Sequence, residues 1–81
     1  MFNAKVYVNL KKSVFDPQGD TVLHALHSMD YKNAKSMRVG KYFEMEIDTD
    51  DHGKAEEEVR KICDTVLVNP VMEDYRMEIE G

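Results

Sequence analysis

The sequence predicts an α+β fold, with two helices on an antiparallel sheet in the order strand, helix, long strand or hairpin, helix, strand. Three observations carry this prediction. Apolar and polar residues alternate over 4–11, 36–47 and 75–80, the period of a half-buried strand. Apolar residues recur at helical spacing over 17–30 and 55–66. The two patterns interleave along the chain with turn residues between them, which fits helices backing one sheet.

In the first strand, Val6, Val8 and Leu10 share a face, with Lys5, Tyr7 and Asn9 opposite. Phe15-Asp16-Pro17-Gln18-Gly19 follows. Pro17 suits the first helical position, where its missing N–H leaves no bond unmade. Asp16, pushed toward extended geometry by that proline, suits the N-cap and can accept from Gln18 or Gly19. The first helix then aligns Val22, Leu23, Ala25, Leu26 and Met29. In 36–47, Met37, Val39, Phe43, Met45 and Ile47 share parity. A two-residue hairpin at Gly40-Lys41 would split that set between two faces. A three-residue turn or one strand bent at Gly40 keeps it together. The bent strand, about 12 residues against the usual 5–6, is preferred. It implies a segment-exchanged dimer; the hairpin would give a ferredoxin-like βαββαβ unit. Asp50 or Asp51 caps the second helix, whose stripe is Ala55, Val59, Ile62 and Val66, and Asn69-Pro70 stops it. Tyr75, Met77 and Ile79 mark the last strand.

Eighty-one residues imply one domain, 1–81, that buries only roughly 60% of its unfolded surface. Association with a partner is therefore expected. The apolar runs are too short to span a membrane, and the first dozen residues do not read as a signal peptide. The lone Cys63 excludes an internal disulfide and suits the cytoplasm. Residues 1–41 carry seven Lys/Arg against three Asp, whereas 42–81 carry four basic residues against thirteen acidic ones. That asymmetry favours docking between charged surfaces and disfavours nucleic acid.

Each motif that could carry chemistry has a simpler structural account. At Asp16–Gly19 a carboxylate takes the donors that a phosphate would need, and a single glycine is far from a phosphate-binding loop. His24 and His27 have a chelating i, i+3 spacing but no third ligand nearby. Cys63 lies mid-helix, flanking the apolar stripe, without a base or a helix N-terminus to activate it. Glu44 and Glu46 share a strand face and could act as an acid/base pair, but fit a solvated or interface face better. The six methionines fit mainly core positions. These residues imply a non-catalytic association domain with no cofactor or metal of its own.

Four stretches, KVYVNLKKSVFDPQG (5–19), HALHSM (24–29), RVGKYFEMEI (38–47) and NPVMEDY (69–75), together resemble the PurS family. PurS is the small subunit of phosphoribosylformylglycinamidine synthase. The resemblance spans nearly the whole chain and is weakest over 48–58. It implies a role in the step of purine synthesis that uses ATP and glutamine to convert formylglycinamide ribonucleotide to formylglycinamidine ribonucleotide. The large subunit PurL would use Mg-ATP, and the glutaminase PurQ would release ammonia from glutamine. The small subunit would assemble the two and couple ammonia transfer, as a homodimer or dimer of dimers. The residues carried over are partner-contact candidates: Asp16, Pro17, Gln18, Gly19, His24, Arg38, Lys41, Tyr42, Asn69, Pro70, Glu73, Asp74 and Tyr75. For 69–75 a helix stop followed by a strand start, with Tyr75 in the core, is an equal reading. A dimeric metabolite-sensing domain is the alternative function, and a metal hydrolase using His24 and His27 is a third.

Overall fold

The computed structural model describes all 81 residues, Met1–Gly81. Its elements are β1 (Phe2–Leu10), α1 (Pro17–Ser28), β2 (Gly40–Ile47), α2 (His52–Ile62) and β3 (Glu73–Glu80), with a π-helical turn at Cys63–Leu67. The antiparallel sheet has the order β2-β1-β3. Register pairs Val6 with Phe43 and Met77, and Ala4 with Met45 and Ile79. The alternation read from the sequence therefore places every apolar strand residue on one face.

That face is covered by α2. The core comprises Ala4, Val6, Val8, Ile47, Ala55, Val59, Cys63 and Val68. Asp51 caps α2, its Oδ1 accepting from Gly53 N–H at 2.8 Å and Lys54 N–H at 3.3 Å. The pairs Glu56–Arg60 and Glu57–Lys61 line its outer side.

The second apolar stripe departs from expectation after Ile62. The Val68 N–H donates to the Cys63 carbonyl at 3.0 Å, an i→i+5 bond that widens the turn. The extra residue advances the phase of the stripe. Val66, expected in the core, is 77% exposed, while Cys63 and Val68 are buried. Cys63, expected at the flank of the stripe, is accordingly a fully buried core residue, and burial pushes its thiol pKa up. The methionines also differ from the core assignment. Only Met45 and Met77 pack against the core, half-buried, while Met1, Met29 and Met72 are exposed.

No hairpin forms at Gly40. Residues 40–47 run as one strand against β1, and 34–39 approach it without a partner strand in this chain. The ferredoxin-like hairpin is thereby excluded for the protomer. The regular strand starts at Gly40, so the paired length is 8 residues, shorter than the expected run from 36. Glycine is required there by crowding. A Cβ would lie 2.4 Å from Asn9 Oδ1 and 2.6 Å from the Val8 carbonyl oxygen.

Helix α1 extends away from this body. Its only buried residue is Gly19. Val22 is 40% exposed and Met29 67% exposed, while Leu23 and Leu26 are half-buried, so its apolar stripe is left largely open within the chain. The radius of gyration is 16.3 Å and the extents are 51 × 25 × 14 Å, whereas a compact 81-residue domain has a radius of about 12 Å. Asp30, at φ 73°, ends α1 in the left-handed region. The chain then folds back, with Tyr31 N–H donating to Leu26 O at 2.9 Å and His27 Nε2 donating to Ala34 O at 2.7 Å. No helix is long and apolar enough to cross a membrane.

Candidate functional site

Three segments meet at one end of the sheet: the turn before α1, the extended approach to β2, and the loop leading into β3. Asp16 joins the first two. Its Oδ1 accepts from Gly19 N–H at 2.9 Å, closing the first turn of α1, and its Oδ2 accepts from Val39 N–H at 2.8 Å. The Val39 and Gly19 N–H groups hold its carboxyl below the usual carboxylate range. Asp16 is a buried charge, 5% exposed, with both oxygens satisfied. Gly19 makes room for this junction. A Cβ there would stand 2.4 Å from the Met37 carbonyl oxygen and 2.8 Å from Asp16 Oδ2. The turn is therefore an internal clasp between α1 and β2. Asp16 and Gly19 face inward, and its exposed residues are Phe15, Pro17 and Gln18.

A second clasp joins β2 to β3. Glu73 accepts from Asn69 N–H at 2.8 Å, and its carboxylate lies 3.2 Å from Lys41 Nζ. The Asn69 N–H and the Lys41 ammonium hold Glu73 below the usual range. Asn69 Oδ1 accepts from Val71 N–H at 3.0 Å, shaping the turn around Pro70. Arg38 reaches back to the end of β1, donating to the Lys11 carbonyl at 2.9 Å. Asp16, Gln18, Lys41 and Glu73 thus line one recess of about 270 Å³. Asp74 is exposed beside it, and Tyr75 packs against the core, with burial raising its phenol pKa.

Two of the sequence-derived candidates lie elsewhere. His24 is on the outer side of α1, its Nδ1 3.6 Å from Asp20 Oδ2. Tyr42 is on the sheet face opposite α2, where register aligns it with Tyr7 and aligns Tyr7 with Arg76. The Tyr42 hydroxyl donates to Glu44 at 2.7 Å, and that carboxylate pushes the phenol pKa up to about 12. The Arg76 guanidinium sits 4.2 Å from the Tyr7 ring centroid. Sequence reasoning did not single out Tyr7, Arg76 or the Val39 N–H. Alternation placed both side chains outward, but only the strand register brings them together.

The chemistry available here is positioning and docking. The first-turn N–H of Gly19 is occupied by a carboxylate, which disfavours an anion at that helix start. The ring nitrogen Nε2 of His27 is taken by the Ala34 carbonyl. No group of three or more His, Cys, Asp or Glu side chains is placed to hold a metal ion.

Comparison with known proteins adds the family. A family model described as PurS, phosphoribosylformylglycinamidine (FGAM) synthase, matches residues 3–81. The phosphoribosylformylglycinamidine synthase subunit PurS of Bacillus subtilis is 49% identical over 80 residues, covering 99% of this chain and 94% of the relative. A crystal structure of B. subtilis PurS superposes with a TM-score of 0.92 at 48% identity, covering 100% of both chains. A chain in the structure of PurLQS from Thermotoga maritima gives a TM-score of 0.88 at 33% identity, covering 96% of this chain and 95% of that one.

Proposed function

The chain belongs to the PurS family of phosphoribosylformylglycinamidine synthase subunits, and from that premise we propose that it is the non-catalytic small subunit of this purine-biosynthetic ligase. It brings a PurL-type synthetase and a PurQ-type glutaminase together and couples ammonia transfer between them. Mg-ATP and glutamine are used by those partners, and the assembly works in the cytoplasm. The PurLQS structure containing a similar chain supports this reading.

The observation that carries the association role is the largely open apolar stripe of α1 on a protomer too extended to bury it. The unpaired approach at 34–39 and the free edge of β2 supply the matching half of an exchanged dimer. In that dimer the approach segment and α1 of one copy complete the sheet edge and apolar face of the other. Pro17, Gln18, His24, Asp74 and the Asn69–Pro70 turn remain exposed as contact candidates toward the other subunits.

The test is reconstitution. Synthetase and glutaminase are expected to co-elute as a stable complex only when this chain is present together with nucleotide and glutamine. Stable co-elution of the two without it would refute the assembly role.

A further inference from the structure

The face of the sheet turned away from α2 remains uncovered, and its pattern is more specific than solubility requires. Its central row is Tyr42, Tyr7 and Arg76 in register across the three strands. The two tyrosine rings are 5.0 Å apart and Arg76 stacks on Tyr7. Tyr42 is 48% exposed. Aromatic side chains and arginine grouped on an open face are the residue types that dominate interface hot spots.

The rows beside it are acidic. Glu44 and Glu78 flank Lys5, and Glu46 and Glu80 flank Asn3. The one ammonium among those four carboxylates, on Lys5, is engaged by Glu80 at 3.4 Å. Glu78 already pairs with Arg76, Glu44 meets only the Tyr42 hydroxyl, and Glu46 is in no ion pair of the chain. The face thus carries an excess of negative charge beside a rigid aromatic and guanidinium platform. Its complement is a basic surface. A second copy is the poorer occupant, because the α1 stripe and the approach to β2 engage apolar surface and the sheet edge.

We propose that this face docks a lysine- or arginine-bearing surface of another subunit of the same assembly, with Tyr7, Tyr42 and Arg76 as the anchor and Glu44 and Glu46 as the charge match. This rests on the assembly reading above and names the surface that performs it.

The test measures binding of the homodimer to the synthetase and glutaminase supplied together with nucleotide and glutamine, at low and high salt. Wild-type affinity should fall as salt rises. The double variant Glu44→Lys/Glu46→Lys should bind at least about tenfold more weakly at low salt and recover as salt screens the new repulsion, with its dimer mass unchanged. The milder Glu44→Gln/Glu46→Gln should fall between the two, which guards against misfolding of the reversal variant. Wild-type affinity in both variants would overturn the proposal. Loss of the dimer with retained binding per protomer would also overturn it, by assigning the face to a second copy. Failure of the wild type itself to bind would instead refute the assembly reading on which the proposal rests.

Discussion

Leu26→Glu is expected to convert the proposed exchanged dimer into monomers. Leu26 lies half-buried on the α1 stripe with Val22, Leu23 and Met29, and none of these residues joins the core of the chain. In the exchanged dimer the new carboxylate would be buried without a partner. Each such burial costs on the order of 3 kcal/mol and the dimer holds two, so the dimer dissociation constant should rise by about four orders of magnitude. Sedimentation equilibrium across a dilution series checks this. The helix content should change little, because α2 and the sheet form their core without α1. His24→Gln, on the outer side of the same helix, should leave the mass unchanged. A Leu26→Glu protein that remains dimeric with wild-type affinity would show that α1 is not the exchanged element.

Asp16→Asn should lower the melting temperature at neutral pH by roughly 5–15 °C, compared at equal protomer concentration. An amide has one acceptor oxygen where the carboxylate has two, so it can cap α1 or hold Val39 but not both. The pH dependence follows from the direction of the shift. Asp16 has a folded-state pKa below its ordinary 3.8. Its contribution is therefore complete above that value and is lost as pH falls through the folded pKa. Wild type and variant should converge in acid. Glu73, also depressed, is present in both proteins and cancels from the difference. Thermal melts from neutral pH into the acid range check this, and a gap that stays constant throughout would contradict it.

The sequence revealed what depends on local pattern. Parity along β1, 36–47 and β3 gave the buried face. Pro17 after Asp16 gave the start of α1, and Asp51 the start of α2. Shared parity on both sides of Gly40 argued against a two-residue hairpin, and the strand does not turn there. What escaped the reading depends on distance. The Val39 N–H that meets Asp16 is 23 residues away, and no spacing rule reaches that far. The helical period was extrapolated through Cys63–Leu67, where one wide turn redirects Val66 to solvent. The methionines and the α1 stripe show a related limit. Periodicity identifies an apolar stripe but not whether its cover comes from the same chain. The sequence lists the candidate contacts without saying which surface each belongs to. The structure divides them into two internal clasps, an exposed turn and an open sheet face.

In the proposed assembly this chain performs no chemistry and acts by joining two subunits that do. The most direct measurement compares the synthetase–glutaminase mixture with and without the chain, supplied either with glutamine or with free ammonia as the nitrogen source. The expected result is that glutamine-supported synthesis depends on the chain, while ammonia-supported synthesis proceeds at the same rate without it. Full glutamine-supported turnover in its absence would contradict that role.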